Sequence, residues 1–130
     1  MRPQQRIILY LEEDYASIHY ARLDVQRHFS AWEFYSFRSC DTLEEAVTSG
    51  SVSVRDIGIF CADGILLARQ TNRSSYGWEA VEFLQSQGYR GKALDISTSS
   101  IPAEKSNLFV SRGYKFGKEF VRLLEQYLPR

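Results

Sequence analysis

The chain has 130 residues, 44% apolar and 25% charged, an ordinary globular balance with enough sequence to bury a core. Its 16 Lys and Arg equal its 16 Asp and Glu, so no net field favours nucleic acid or a membrane surface. Cys40 and Cys61 are too few for a disulfide scaffold and suit a reducing cytoplasm; the apolar stretch after the start is too short for a signal peptide or a membrane span.

Ile7-Ile8-Leu9-Tyr10-Leu11 reads as a buried strand, and the acids Glu12-Glu13-Asp14 follow it at once. A helix over about 15–29 comes next, with Ile18, Ala21, Val25 and Phe29 spaced by three and four. Trp32, Phe34, Tyr35 and Phe37 mark a second strand. Base stacking on these aromatics would require a basic groove, so core and edge packing is their expected role. Asp41 and Thr42 can cap a second helix, with Thr42 and Glu45 as a capping box and Gly50 as its stop. A third apolar strand over about 57–62 ends at Asp63. A long loop to Gly77 carries Arg69, Arg73 and Ser74-Ser75-Tyr76 and reads as a solvated insertion, or else as a partner-specific lid or a source of an arginine contact to a bound phosphoryl group. A helix over about 78–87 stops at Gly88, and a fourth strand over about 92–96 runs into Ser97-Thr98-Ser99-Ser100. Pro102 suits the first turn of a helix reaching about Arg112. A strand over about 108–111 is the other register. Phe120, Leu123, Leu124, Tyr127 and Leu128 form the apolar stripe of a last helix.

This alternation predicts one α/β domain over residues 1–130: a doubly wound, five-stranded parallel sheet with helices on both faces, in the flavodoxin-like order 2-1-3-4-5. Right-handed crossovers then bring all strand C-termini to one edge. Glu12, Glu13, Asp63 and Ser97 would converge there, distant as they are in sequence. Clustered carboxylates repel unless a cation or solvent relieves them, which favours a magnesium-type site of oxygen ligands. The first glycine is Gly50, so the first turn cannot form a glycine-rich phosphate cradle. His19 and His28 lie on a predicted helix without ligand spacing and read as surface or satisfied polar residues.

The order of four segments resembles a response-regulator receiver domain (CheY-like) of two-component signalling. They are ILYLEED, DIGIFCADG, GWEAVEFLQSQGYRGKALDIST and GYKFGKEF, and together they span about 6–128. The resemblance implies that Glu12 and Glu13 are the acid pair, with Glu13 the direct Mg2+ ligand, and that Asp63 is the phosphoacceptor and shares the metal. It implies that Ser97 is the hydroxyl that binds the phosphoryl group and switches conformation, and that Lys118 is the site lysine, with Lys115 as the alternative. Reading Asp56 as the strand-leading aspartate instead puts Cys61 at the acceptor position. The family's acid pair usually contains an aspartate, so Glu13 would hold a metal further out or through water.

The implied function is acceptance of a phosphoryl group from a histidine kinase or phosphotransfer protein, followed by binding of a downstream effector. This is signalling in the cytoplasm and not enzymatic turnover, with no direct nucleic acid or membrane contact, and a homodimer is compatible with it. The other reading is a pseudo-receiver that binds partners without phosphorylation. A magnesium-dependent enzyme on a similar sheet would want a further acid at the third strand, where Cys61 stands.

Overall fold

The computed structural model describes residues 6–66 and 75–128, without the side chains of Ile65 and Ser75. Met1 to Gln5 and the loop residues Arg69, Arg73 and Ser74 singled out above lie outside the described residues. The elements are β1 (Ile7–Leu11), α1 (Tyr15–His28), β2 (Glu33–Phe37), α2 (Cys40–Thr48), β3 (Ile57–Ala62), β4 (Ile65–Leu66), β5 (Ser75–Tyr76), α3 (Gly77–Ser86), β6 (Lys92–Asp95), α4 (Ala103–Ser106), β7 (Ser111–Arg112) and α5 (Lys118–Tyr127). A short 3-10 turn, Val54–Asp56, leads into β3.

The main sheet is parallel throughout, in the order β2-β1-β3-β6-β7, which is 2-1-3-4-5 when only its own strands are counted. The expected doubly wound topology is therefore present. Two apolar clusters cover the two faces, and the two-residue period of a strand sorts side chains between them. Leu9, Leu11, Phe60, Ala62 and Ala93 pack with residues of α2 and α3. Ile8, Tyr10, Ile59, Cys61, Leu94 and Ile96 pack with residues of α1 and α5. Among the described residues no helix is long and apolar enough to cross a membrane.

The predicted cap of α2 shifts. Ser39 is the N-cap residue, extended at φ −146°, and its side chain accepts the Thr42 N–H at 3.2 Å. Thr42 is already inside the helix, so the helix begins one turn earlier than the Thr42–Glu45 pair suggests. Gly50 follows with φ +86°, the left-handed conformation expected of a helix stop.

The predicted fourth helix is much shorter than expected. It ends at Ser106, and Leu108 and Phe109 turn back by N–H bonds to Lys105 and Ser106 carbonyls. The Val110 N–H then bonds the Ala93 carbonyl at 2.9 Å, and Ser111–Arg112 pairs with Leu94–Asp95. The open edge of β6 satisfies backbone groups that a longer helix would leave exposed along the strand. Leu108 and Phe109 meanwhile pack against the α2/α3 cluster.

The insertion after Asp63 begins and ends as an antiparallel pair, with Ile65 opposite Tyr76 and Leu66 opposite Ser75. It returns the chain to α3 hard against the end of β3. The Gly77 N–H bonds the Gly64 carbonyl at 3.0 Å, and a Cβ on Gly77 would stand 2.1 Å from the Asp63 carbonyl oxygen. Only glycine allows this approach.

Candidate functional site

Parallel pairing continues one step beyond the regular strands and aligns their carboxyl ends. The Glu12 N–H bonds the Phe37 carbonyl at 3.0 Å, the Asp63 N–H bonds the Leu11 carbonyl at 2.9 Å, and the Ile96 N–H bonds the Ala62 carbonyl at 3.0 Å. Glu12 follows Tyr10 by two residues and Asp63 follows Cys61 by two, so both acids inherit the α1/α5 side of the sheet.

Both acids are buried, Glu12 completely and Asp63 at 7% exposure. The ammonium of Lys115 lies between them. Its Nζ pairs with Glu12 Oε1 and reaches Asp63 Oδ2 at 3.1 Å. Lys115 is held in turn by the Tyr10 hydroxyl, which donates to the Lys115 carbonyl at 2.6 Å. Two residues on, the Gly117 N–H donates to Asp24 Oδ2 of α1 at 2.7 Å, so the loop before α5 is tied to the α1 side of the site.

Electrostatics follow from this packing. Burial pushes the Glu12 carboxyl up to about 7; the Lys115 hydrogen bond opposes that rise and the Asp63 charge adds to it. Burial pulls the Lys115 ammonium down, but the hydrogen bond and charge of Glu12, with Asp63 behind them, leave it above its ordinary value. The Cys61 thiol is raised by burial and lies inside β3, opposite Tyr10 in β1 and Leu94 in β6.

Glu13 is half-buried at the rim. Its N–H donates to Glu12 Oε2 at 3.0 Å, and its carbonyl accepts Arg38 Nε at 2.8 Å. The Arg38 guanidinium also lies 3.8 Å from the centre of the Tyr15 ring and donates to the Tyr15 hydroxyl. Lys118 opens α5 and is exposed; the ammonium that reaches the two carboxylates is that of Lys115.

Ser97 is buried two residues past the end of β6. Its N–H donates to Asp95 Oδ1 at 2.9 Å, and its hydroxyl contacts the same oxygen at 2.5 Å and the Ser99 carbonyl at 2.9 Å. Arg112 Nη2 donates to the Ser97 carbonyl at 3.3 Å. Ser97 and Lys115 both line a cavity of about 580 Å³ with Ile96, Thr98, Tyr114 and Phe116. Sequence reasoning overlooked Asp95 and Tyr10. The signal for Asp95 was an acid inside an otherwise apolar strand, Ala93-Leu94-Asp95-Ile96.

No protein-family model matches the chain, and no curated protein does. Solved structures do match. The chemotaxis response regulator CheY4 of Vibrio cholerae superposes with a TM-score of 0.68 at 14% identity, over 96% of this chain and 100% of that one. This chain has the CheY-like receiver fold. The receiver domain of the histidine kinase CKI1 from Arabidopsis thaliana, in complex with Mg2+ and BeF3−, matches with a TM-score of 0.64 at 13% identity, over 94% and 89%. The N-terminal domain of an uncharacterized protein from Wolinella succinogenes matches with a TM-score of 0.69 at 19% identity, over 95% and 90%.

The donors around Lys115 suit a hard cation in kind, because two carboxylates already share one positive group. Magnesium commonly takes one or two carboxylates and completes its shell with water and phosphate. Among the described residues no three His, Cys, Asp or Glu side chains are grouped to hold a metal, so water would have to supply much of the shell.

Proposed function

We propose that residues 1–130 act as one receiver that takes a phosphoryl group on Asp63 and signals through protein–protein contacts. The observation that carries this reading is the Lys115 ammonium, 3.1 Å from the Asp63 carboxylate at the C-terminal edge of the sheet. An Asp63 oxygen would attack phosphorus, a new P–O bond would form, and the donor's bond to phosphorus would break with its electron pair leaving on the donor. A phosphohistidine of a kinase or phosphotransfer protein is the donor class. Lys115 holds a compact positive charge beside the incoming group. Glu12 and Asp63 would hold Mg2+, with Glu13 reaching it through water, and the ion supplies charge neutralisation when bound. The product replaces the single carboxylate charge of Asp63 with close to two on the phosphoryl oxygens, and neighbouring loops can respond by ordering or by recruiting an effector. The setting that fits is the cytoplasm. A homodimer is compatible with this reading, and no direct contact with nucleic acid or membrane is part of it.

One observation favours the pseudo-receiver instead. Lys115 already compensates both buried carboxylates without any added cation. Intact-mass analysis after incubation with a small phosphodonor and Mg2+ separates the readings. One added phosphoryl group, lost in Asp63→Asn, is the expected result. Uptake that persists in Asp63→Asn moves the acceptor elsewhere, and no uptake leaves the binding-only reading.

A further inference from the structure

Asp95 has no part in the chemistry above, yet it is the only described partner of the Ser97 N–H and the nearest of the Ser97 hydroxyl. It ends β6 and is buried at 3% exposure. Strand alternation sets it on the opposite side of the sheet from Asp63. Ala93 packs into the α2/α3 cluster and Asp95 follows it by two, whereas Cys61 packs into the α1/α5 cluster and Asp63 follows that. Its backbone is held as well, since the Gly113 N–H bonds the Asp95 carbonyl at 2.8 Å.

A serine hydroxyl has one proton to donate. Here that proton faces Asp95 Oδ1 at 2.5 Å and the Ser99 carbonyl at 2.9 Å, so both of its acceptors lie within the loop's own segment. A Cβ placed on Gly64, the residue after Asp63, would lie 3.4 Å from Asp95 Oδ1 and 3.6 Å from Ser97 Oγ. The Asp95–Ser97 pair therefore packs directly against the turn that carries Asp63. A phosphoryl group there would bring a second anion toward a carboxylate that no described ion pair neutralises.

We propose that Asp95 is a positioning residue that restrains the switch. It holds the Ser97 hydroxyl and amide in the unphosphorylated arrangement, and the hydroxyl must leave Asp95 before it can donate to a phosphoryl oxygen on Asp63. The cavity shared by Ser97 and Lys115 gives that side chain room to turn. This inference rests on the reading of Asp63 as acceptor, and Asp95 then sets how readily the acceptor's product is recognised.

The test uses NMR on the full chain, first without ligand and then titrated with beryllofluoride and Mg2+. In Asp95→Ala the Ser97 amide should exchange with solvent about tenfold faster, the scale of losing one charge-assisted hydrogen bond. Beryllofluoride should bind about tenfold tighter by the same reckoning, and this gain should vanish when Asp95→Ala is combined with Ser97→Ala. Asp95→Asn, which keeps the side-chain volume, should show the same changes with smaller size if the alanine variant fails to fold. Unchanged Ser97 exchange, weaker beryllofluoride binding, or a gain that persists in the Ser97→Ala background would each overturn the restraint. If no variant binds beryllofluoride, the acceptor reading fails, and the exchange rates alone decide whether Asp95 holds Ser97.

Discussion

Neighbouring strands of this sheet stabilise buried carboxylates in two different ways. After β1 and β3, Glu12 and Asp63 share the Lys115 ammonium. At the end of β6, the Asp95 carboxylate takes, among the described residues, only hydrogen bonds, both from Ser97. A cation compensates charge over a range of geometries, so the first arrangement tolerates exchange of one positive group for another. Hydrogen bonds require one neighbour in one orientation, so the second arrangement ties a carboxylate to the state of a single loop. Charge compensation and loop anchoring thus sit on opposite sides of the same sheet edge.

The largest effect should come from removing the shared cation. Lys115→Met leaves Glu12 buried beside Asp63 without a compensating cation and should cost about 3 kcal/mol at pH 8, by analogy with broken buried pairs. Urea unfolding measures it. Lys118→Ala, at an exposed position, should change stability by less than about 0.5 kcal/mol. Equal losses in the two variants would mean that the compensating role is not particular to Lys115.

A smaller effect lies in pH. The Glu12 carboxyl is raised from 4.5 to about 7, mainly by burial. Between those values the folded chain keeps a proton that the unfolded chain has lost. Its contribution is therefore fully present below about pH 4.5, declines as pH rises through about 7, and is level above that. The decline should amount to about 2 kcal/mol, discounted for coupling to Lys115 and Asp63. In Glu12→Gln the unfolding free energy should lose this slope. A slope that survives would assign the proton to another group.

The smallest effect concerns how Lys115 is aimed. Tyr10→Phe removes the 2.6 Å bond to the Lys115 carbonyl and should cost about 1 kcal/mol. The variant should also shift the NMR signals of Lys115 while leaving those of Ser97 unchanged. Coupled shifts at Ser97 would show that the two halves of the edge do not act independently.

The fold was legible because period and punctuation carry it. Four apolar runs alternate with helical stripes, and the acids after β1 and β3 stand where those runs stop. A parallel sheet with right-handed crossovers has few ways to arrange such a chain. Local competition was harder to read. Val110 to Arg112 suits a helix by pattern, but the unpaired edge of β6 captures it, and that edge exists only once the sheet has formed. Ser39 takes the cap of α2 over Thr42 for a comparable reason, because its extended backbone depends on where the chain leaves β2.

Sheet order, the two apolar faces and the strand ends at which Glu12, Asp63 and Ser97 stand are all written in the order of residues along the chain. Those follow from spacing along the chain. Tertiary structure decided which lysine reaches the acids, that Tyr10 and Asp24 anchor the loop carrying it, and that Asp95 holds Ser97. Lys115 and Lys118 differ by three residues in a loop without periodicity, so only the path of that loop across α1 can separate them. Asp95 and Ser97 differ by two, and their contact depends on how the chain bends after β6 against Gly64.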